Sequence, residues 1–199
     1  MRDILYDAAV TYDKFKNTFY NIILGRKGKS YTIKLHFPAD AFFHLSGLQH
    51  LKDLTFPSTN KERIYKEILK RKITIDDIKK SVFYEKWFIE ERLNNFTYLE
   101  DLLDSNTVRY LINQKQYMSY SDIKADYLCE RAILTDIFYL FIVKEMNLRD
   151  SNICKGCSLL KKHNTDYTNG TAKTTTLLIE KINNGSTSVI YKNPSFKQI

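Results

Sequence analysis

The chain has 199 residues, 43 % of them hydrophobic and 27 % charged, and a formal net charge of +8. This balance is typical of a globular protein and excludes a wholly disordered chain. The sequence contains no apolar run of 18 residues, so we expect no membrane span, and its charged start does not resemble a signal peptide. The three cysteines, an odd number, fit a reducing compartment, and we predict a cytoplasmic location.

Positive charge is concentrated towards both ends of the chain. Residues 81–154 carry 8 basic and 12 acidic side chains, whereas residues 155–199 carry 7 basic and 2 acidic ones, and residues 1–80 are basic as well. If the two basic ends meet in the fold, they form one positive face that attracts a polyanion such as nucleic acid. The same Lys-rich composition is also typical of AT-rich coding sequence, so charge alone does not identify the partner.

The first half of the chain is predicted to be mainly helical. Apolar residues spaced by three and four predict an amphipathic helix over residues 2–24. Tyr31 to Phe37 alternates with period two, which predicts a strand whose odd positions face the core. Pro38 and Thr74 are typical of helix starts. The further helices are predicted over residues 39–51, 61–71, a short stretch after Thr74, and 82–94.

The second half is predicted to contain most of the strands. Residues 122–132 fit a strand or a helix, and Asp136 to Val143, apolar on both faces, predicts a central strand. Residues 174–180 and 188–191 flank a Gly-containing turn and predict a hairpin, while residues 151–173 are polar and predict a long surface loop. We therefore expect a single α+β domain over residues 1–199. Its helical part, about 1–120, packs on a mostly antiparallel sheet of four to five strands at about 121–199.

Cys154 and Cys157 form a CxxC pair, and His163 follows six residues later. Thiolates at this spacing can share a zinc ion, but a closed site needs four ligands and the chain has no second CxxC pair. Two interpretations stay open: a zinc site completed by Cys129 or a distant histidine, and ordinary reduced cysteines in a loop. Gly25 to Ser30 is not a phosphate-binding loop, because only two residues separate its glycines and a strand follows.

The stretch from Phe42 to Leu48 is the most informative motif. It follows a predicted strand that ends in Phe37-Pro38, and it contains His44 between apolar residues. One interpretation is a buried histidine bonded to a backbone carbonyl. The pattern Phe-x-His-Leu-Ser-Gly-Leu also resembles the signature of a phage-associated nuclease family, the fourth phage subfamily of the barnase–EndoU–colicin–RelE-like superfamily. Further similar stretches extend the resemblance to about residues 5–191: they are 64–69, 78–84, Arg92 and 125–127.

The resemblance implies a compact α+β endoribonuclease of toxin or phage-conflict type that works without a metal or other cofactor. Such an enzyme needs a base for the ribose 2′-OH, an acid for the leaving oxygen, and cations or N–H donors for the phosphorane. The family motif assigns only His44, as the acid or base. The remaining candidates come from side-chain chemistry: Arg92 to hold the phosphate; Lys173, Thr175 and Tyr191 to supply charge and hydroxyl donors; Ser46 and Ser81 to bind the phosphate or orient His44.

The expected partners are RNA, such as tRNA or mRNA, and a neutralising antitoxin or immunity protein, with no membrane. Competing interpretations are a surface ion pair for Arg92 and strand packing for Thr175 and Tyr191. Two non-enzymatic functions also stay open. The basic face could bind nucleic acid without cleaving it, with steep salt dependence and no product, or the chain could be a phage or plasmid accessory protein that acts through protein contacts.

Overall fold

The computed structural model describes residues 2–117, 121–145 and 152–197. Within these residues nine strands form one curled sheet, and helices pack against it. The strands are β1 (Thr18–Arg26), β2 (Lys29–His36), β3 (Val108–Ile112), β4 (Tyr127–Ile133), β5 (Asp136–Lys144), β6 (Ile153–Lys161), β7 (Thr171–Lys173), β8 (Thr175–Asn183) and β9 (Ser186–Lys192). The α+β class is confirmed, but the sheet has nine strands rather than four to five.

The helices lie mostly between β2 and β3 along the chain. They are α1 (Ile4–Asp13), α2 (Ala39–Leu45), α3 (Lys61–Leu69), α4 (Ile75–Ile78), α5 (Ile89–Asn94), α6 (Leu99–Leu103) and α7 (Gln114–Tyr117), with 3-10 helices at Leu48–His50 and Asn95–Tyr98. The predicted helix starts at Lys61 and after Thr74 are confirmed. Thr74 closes a capping box with Asp77, which satisfies backbone N–H groups at the start of α4. No helix in the described residues is long and apolar enough to cross a membrane.

The strands follow the order β7-β3-β4-β5-β6-β2-β1-β8-β9. Neighbours are antiparallel except β2 and β6, which run parallel from Lys34 opposite Ile153 to His36 opposite Lys155. The sheet curls, because β7 and β8 follow each other along the chain but lie near opposite ends of this order. Thr174 between them donates from its backbone N–H to the carbonyl oxygen of Arg109 on β3, at 2.9 Å.

The helix predicted over residues 2–24 is wrong beyond Asp13, because β1 begins at Thr18. Tyr20, Ile22 and Leu24 are fully buried at every second position, whereas Phe19, just before them, is about half exposed. Phe19 to Ile23 fits a helical spacing as well as an alternating one. Pairing with β2 on one side and β8 on the other decides in favour of the strand.

The surface loop predicted over residues 151–173 is wrong for Ile153–Lys161, which forms β6 near the centre of the sheet. Gly156 lets α2 approach this strand closely: a Cβ on it would lie 3.1 Å from a methyl group of Leu45. Residue 151 lies outside the described residues. The predicted loop is also wrong for Thr171–Lys173, which forms β7. The predicted strands at β2 and β5 and the hairpin β8–β9 are confirmed, and residues 122–132, which fit a strand or a helix, form a strand from Tyr127 onwards.

An aromatic cluster fixes α2 on the core. Phe42 is 1 % exposed, and its ring centroid lies 5.6 Å from that of Tyr12, 5.0 Å from Tyr65 and 5.1 Å from Phe96. These contacts join α1, α2, α3 and the 3-10 helix before α6. Aromatic packing of this kind contributes beyond simple burial of area. Because Phe42 packs against all three rings, it holds the end of α2 that carries His44 next to α3.

Candidate active site

A glycine turn after α2 defines the centre of the candidate site. Gly47 has φ 78° and ψ 7°, a left-handed conformation that disfavours residues with a Cβ. A Cβ at this position would lie 2.7 Å from Cδ of Arg92 and 3.0 Å from a methyl group of Ile89. The backbone at Gly47 therefore packs directly against α5. His44 precedes this turn on α2, and His50 follows it at the end of the 3-10 helix.

His44 lies in the last turn of α2 and is half-buried. Its Nε2 is 2.7 Å from Nζ of Lys61, at the start of α3. A lysine ammonium can only donate hydrogen bonds, so Nε2 is the accepting, unprotonated nitrogen. Burial lowers the pKa of His44, and the positive charges of Lys61 and Lys155 lower it further against the opposing effect of Asp40. The imidazole is thus held in its basic, neutral form.

His50 lies flat against the ring of Trp87, with centroids 4.0 Å apart and planes 11° apart. Burial lowers the pKa of His50 to about 4, and the positive charges of Arg92 and Lys52 act in the same direction. When the Gln49 amide nitrogen donates to the carbonyl oxygen of Phe43 at 2.7 Å, its oxygen faces His50 Nε2 at 3.2 Å. In this arrangement the proton is on Nε2, and Nδ1 is the basic nitrogen.

Arg92 connects the turn, α5 and the sheet. Its side chain is mostly buried; Nε donates to the carbonyl oxygen of Trp87 at 3.0 Å, and Nη1 lies 3.4 Å from Oγ of Ser158 on β6. Burial lowers the pKa of Arg92, yet a guanidinium stays charged. Within the described part of the chain, the guanidinium forms no ion pair with a carboxylate. The surface ion pair considered for Arg92 is therefore wrong: its guanidinium lies next to His50, and Glu91 acts on it only from a distance beyond an ion pair.

The helix predicted over residues 82–94 is much shorter in the structure, where α5 covers only Ile89–Asn94. The chain before it runs through turns to Phe88, whose φ of 51° and ψ of 43° are left-handed. This left-handed conformation is strained for Phe88, because it is not a glycine. The hydrogen bond that Arg92 makes to the carbonyl of Trp87 spans this turn and fixes it.

An ionic network borders His44 on the side of β6. Nζ of Lys155 lies 2.8 Å from Asp40 and 3.4 Å from Glu145, and Glu145 is also 3.2 Å from Nε2 of His36. Asp40 stands one turn before His44 on α2. Because Lys155 is shared by two carboxylates, this network holds α2 against β6, and Lys155 adds to the positive charge that His44 experiences.

Thr175 and Lys173 do not lie at this site. Thr175 is exposed and pairs with Gly25 at the far end of β1, where Arg26, Lys27 and Lys29 line the same shallow surface pocket of the sheet end. The helix α2 begins beyond the opposite end of β2. Six residues of strand separate the two ends, which is about 20 Å at 3.3 Å per residue. The basic β1–β2 turn, residues 26–29, therefore does lie next to β8, but His44 lies at the other end of the strands.

The other predicted residues have places in the packing. Tyr191 on β9 pairs with Ile179 and is half-buried against the core. Ser46 is fully buried, and its hydroxyl donates to the carbonyl oxygen of Phe42 at 2.7 Å, so it ends α2. Ser81 is buried, and its hydroxyl donates to the carboxylate of Asp53, which also accepts a backbone N–H at 2.9 Å. The hydroxyls of Ser46 and Ser81 are thus used within the fold.

The two cysteines of the CxxC pair are on β6 rather than in a loop. Cys154 belongs to the core on the helical side of the sheet, and Cys157 packs on the opposite face. An odd separation along a strand places side chains on opposite faces, so these thiols cannot bind one ion together. Within the described residues, no group of three or more His, Cys, Asp or Glu side chains could hold a metal ion.

Sequence reasoning missed four residues that the structure brings to the site: Lys61, His50, Trp87 and Lys155. His50 could have been found, since it stands six residues after His44 across a glycine. Lys61, Trp87 and Lys155 had no local signal, because α3, the turn before α5 and β6 approach α2 only through the fold. The structure brings His44 and Arg92 to the two sides of the Gly47 turn.

Comparisons with known proteins give one finding. A family model described as phage-Barnase-EndoU-ColicinE5/D-RelE like nuclease 4 matches residues 4–193, which is nearly the whole chain. No curated protein and no solved structure matches it. The match includes the whole candidate site, from α2 through α5 to β6.

Proposed function

Because the chain belongs to the phage-Barnase-EndoU-ColicinE5/D-RelE like nuclease 4 family, we propose that it is an endoribonuclease with His44 as its general base. The observation that carries this proposal is the contact between His44 Nε2 and Lys61 Nζ at 2.7 Å. It leaves a half-buried imidazole unprotonated at neutral pH, as a base requires. The nuclease family supports a nucleic acid as substrate. The choice of RNA follows from the proposed attack by a ribose 2′-OH.

The 2′-OH of the substrate displaces the Lys61 ammonium from His44 Nε2, the accepting nitrogen, which then takes the proton of this hydroxyl while the 2′-oxygen attacks the adjacent phosphorus. The 5′-oxygen leaves and takes a proton from the released ammonium of Lys61. The products are a 2′,3′-cyclic phosphate and a 5′-hydroxyl. DNA lacks the 2′-OH, so a site that works in this way cleaves RNA only.

Positive charge at the site stabilises the phosphorane. Lys61 lies on the His44 side and Arg92 lies next to His50, whereas the charge of Lys155 is largely used by Asp40 and Glu145. Arg92 is largely buried, so we assign it a positioning role: it holds the Trp87 turn and the Gly47 backbone, and it acts on the phosphate through its field. The site residues supply proton transfer and charge themselves, which favours a reaction without a resident metal.

Lys173, Thr175 and Tyr191 have no part in this mechanism. Lys173 and Thr175, with the basic β1–β2 turn, are placed to contact phosphates of a bound strand at a distance from the reaction.

Lys61→Met is expected to shift the acid limb of the pH–rate profile to higher pH. Lys61 is one of the charges that lower the pKa of His44, so its removal raises that pKa, and the base form then appears only at higher pH. The initial cleavage rate, measured from pH 5 to 9, gives this limb. Lys66→Met is the matched control, because Lys66 on the same helix pairs with Glu62 on the surface. An unchanged limb in Lys61→Met would contradict the pairing.

The proposal is tested with a purified protein and two oligonucleotides of the same sequence, one RNA and one DNA, in the presence of EDTA. We expect cleavage of the RNA with 2′,3′-cyclic phosphate ends and an intact DNA strand. Cleavage of both strands would contradict the 2′-OH mechanism. Cleavage that needs added Mg²⁺ would contradict the metal-free part of the proposal.

The toxin or phage-conflict role, a neutralising antitoxin or immunity protein and a cytoplasmic location belong to the same proposal. They share one requirement, which is an active site that damages RNA inside a cell. Expression in bacteria is expected to stop growth, and the His44→Gln variant is expected to leave growth normal. Normal growth with the active wild-type protein would contradict the toxin role.

A further inference from the structure

Two adjacent aromatic side chains are exposed at the start of α5. Phe88 is 56 % exposed and Trp87 is 36 % exposed, although large apolar side chains are normally buried. Phe88 also has the left-handed backbone described above, which costs free energy in a non-glycine residue. Strain of this kind is concentrated at turns and functional sites; it also occurs at Leu134 in the β4–β5 turn, so the contacts of Phe88 decide its meaning.

Each of the two rings is supported by an imidazole. His50 stacks on Trp87 at 4.0 Å, and His163 stacks on Phe88 with centroids 5.1 Å apart and planes 25° apart. His163 is held in turn by Glu91, whose carboxylate lies 2.9 Å from its Nε2. Both rings are therefore fixed in orientation while they remain open to solvent. We refer to Trp87 and Phe88 together as the stacking platform.

The stacking platform is joined to the candidate active site. The carbonyl of Trp87 accepts the hydrogen bond from Arg92, and His50, which supports Trp87, follows the same Gly47 turn as His44. The charges next to the platform differ between its two rings. On the Trp87 side both Arg92 and Lys52 lower the pKa of His50, whereas Glu85, Glu90, Glu91 and Asp136 line the pocket next to Phe88, together with Lys161. The exposed rings fit a ligand with flat apolar faces, and the cations on the Trp87 side fit negative groups between those faces.

We propose that unpaired bases of the substrate stack on Trp87 and Phe88, so that the enzyme selects single-stranded RNA. This inference rests on the proposed function and adds the form of the substrate. Every base has an aromatic face, and base–aromatic stacking tolerates any sequence. In a duplex these faces are already stacked, and the bases cannot reach the platform. The cations on the Trp87 side contact the phosphates that connect the bases.

Binding can be measured without cleavage, because Trp87 is the only tryptophan of the chain. The probe is a single-stranded RNA oligonucleotide with 2′-O-methyl riboses, which cannot undergo 2′-OH attack, and the same strand annealed to its complement. We expect the single strand to quench Trp87 fluorescence and the duplex to do so only at concentrations at least tenfold higher. Equal quenching by the duplex, or no quenching by the single strand, would overturn the proposal.

Phe88→Leu keeps the apolar volume and removes the aromatic face, and Phe88→Tyr keeps both. We expect Phe88→Leu to weaken binding of the single strand by about tenfold, as loss of one stacked base would, and Phe88→Tyr to bind like the wild type. Phe19→Leu is the matched control, because Phe19 is also about half exposed and also stacks on a histidine, His36, with planes 4° apart. Equal affinity of Phe88→Leu and Phe19→Leu would overturn the proposal.

The two proposals can fail separately. If RNA is cleaved by the 2′-OH mechanism while single and double strands bind alike, the stacking inference fails and the proposed function stands. If the single strand quenches Trp87 fluorescence and Phe88→Leu weakens its binding while no RNA is cleaved, the stacking inference stands and the proposed function fails.

Discussion

His44→Gln is expected to lower the rate of RNA cleavage by about 10²- to 10⁴-fold, the usual contribution of a general acid–base group. A glutamine side chain still offers an oxygen to the ammonium of Lys61, so the contact between α2 and α3 survives. It cannot take a proton from a 2′-OH. The variant should therefore unfold in urea at the wild-type midpoint and bind the 2′-O-methyl strand with the wild-type affinity.

His36→Gln is the control for this variant. His36 is also a half-buried histidine next to charged groups, with Glu145 at 3.2 Å, but it stacks on Phe19 at the end of β2 and has no place in the proposed reaction. It should cleave RNA within a few-fold of the wild type. Retained cleavage by His44→Gln, or an equal loss in both variants, would contradict the role of His44 as base.

Gly47→Ala is expected to lower the free energy of unfolding by about 3 kcal/mol. A left-handed conformation costs an L-residue about 1–2 kcal/mol, and the added methyl group meets Cδ of Arg92 at 2.7 Å, an overpacking that costs about 1–3 kcal/mol. Total stabilities are about 5–15 kcal/mol, so this is a large loss. Cleavage should fall too, because Arg92 must move away from the turn between His44 and His50.

Gly28→Ala separates the backbone cost from the contact. Gly28 has φ 73°, close to the 78° of Gly47, but a Cβ there would meet no atom within 4 Å. Its urea denaturation should show a loss of about 1 kcal/mol, from backbone conformation alone. Equal losses in the two variants would show that Gly47 does not pack against Arg92, and the site as described would be wrong.

The sequence predicted those elements in which the apolar residues follow a single spacing, either that of a helix or that of a strand. The alternation in β2, the apolar run of β5, the capping residue Thr74 and the Gly-containing turn of the β8–β9 hairpin each determine one structure. β1 was not predictable in this way, because Phe19 to Ile23 satisfies two periods. Only pairing with β2 and β8 favours the strand, and β8 is distant from β1 in the sequence.

The small and polar residues of β6 gave no strand signal for a different reason. Gly156 packs against Leu45 of α2, and Ser158 contacts Arg92 of α5. The residue types at these positions therefore depend on the helices that cover β6 and not on strand propensity. The sequence predicts only four to five strands because the patterns of β1 and β6 indicate a helix and a loop, and because β3 and β7 are short. A period cannot reveal a contact between distant segments.

The candidate site could be predicted from the motif only in part. The flanking apolar residues and the glycine indicated His44, and the fold brings Arg92 to the same turn. Lys173 and Thr175 are predicted next to His44 as suppliers of charge and hydroxyl groups, but Thr175 pairs with Gly25 at one end of the β1–β2 pair, about 20 Å of strand from the end where α2 begins. Net charge along a chain predicts attraction to a polyanion, and it cannot tell which basic segments share a face.

One measurement tests the central claim most directly. The cleavage position in a single-stranded RNA is mapped first, and the same strand is then made with one 2′-deoxyribose on the 5′ side of that phosphodiester bond. The account predicts that cleavage at this bond stops while the strand still quenches Trp87 with unchanged affinity. Continued cleavage at the deoxy position would contradict it, because no 2′-oxygen would be present for His44 to activate.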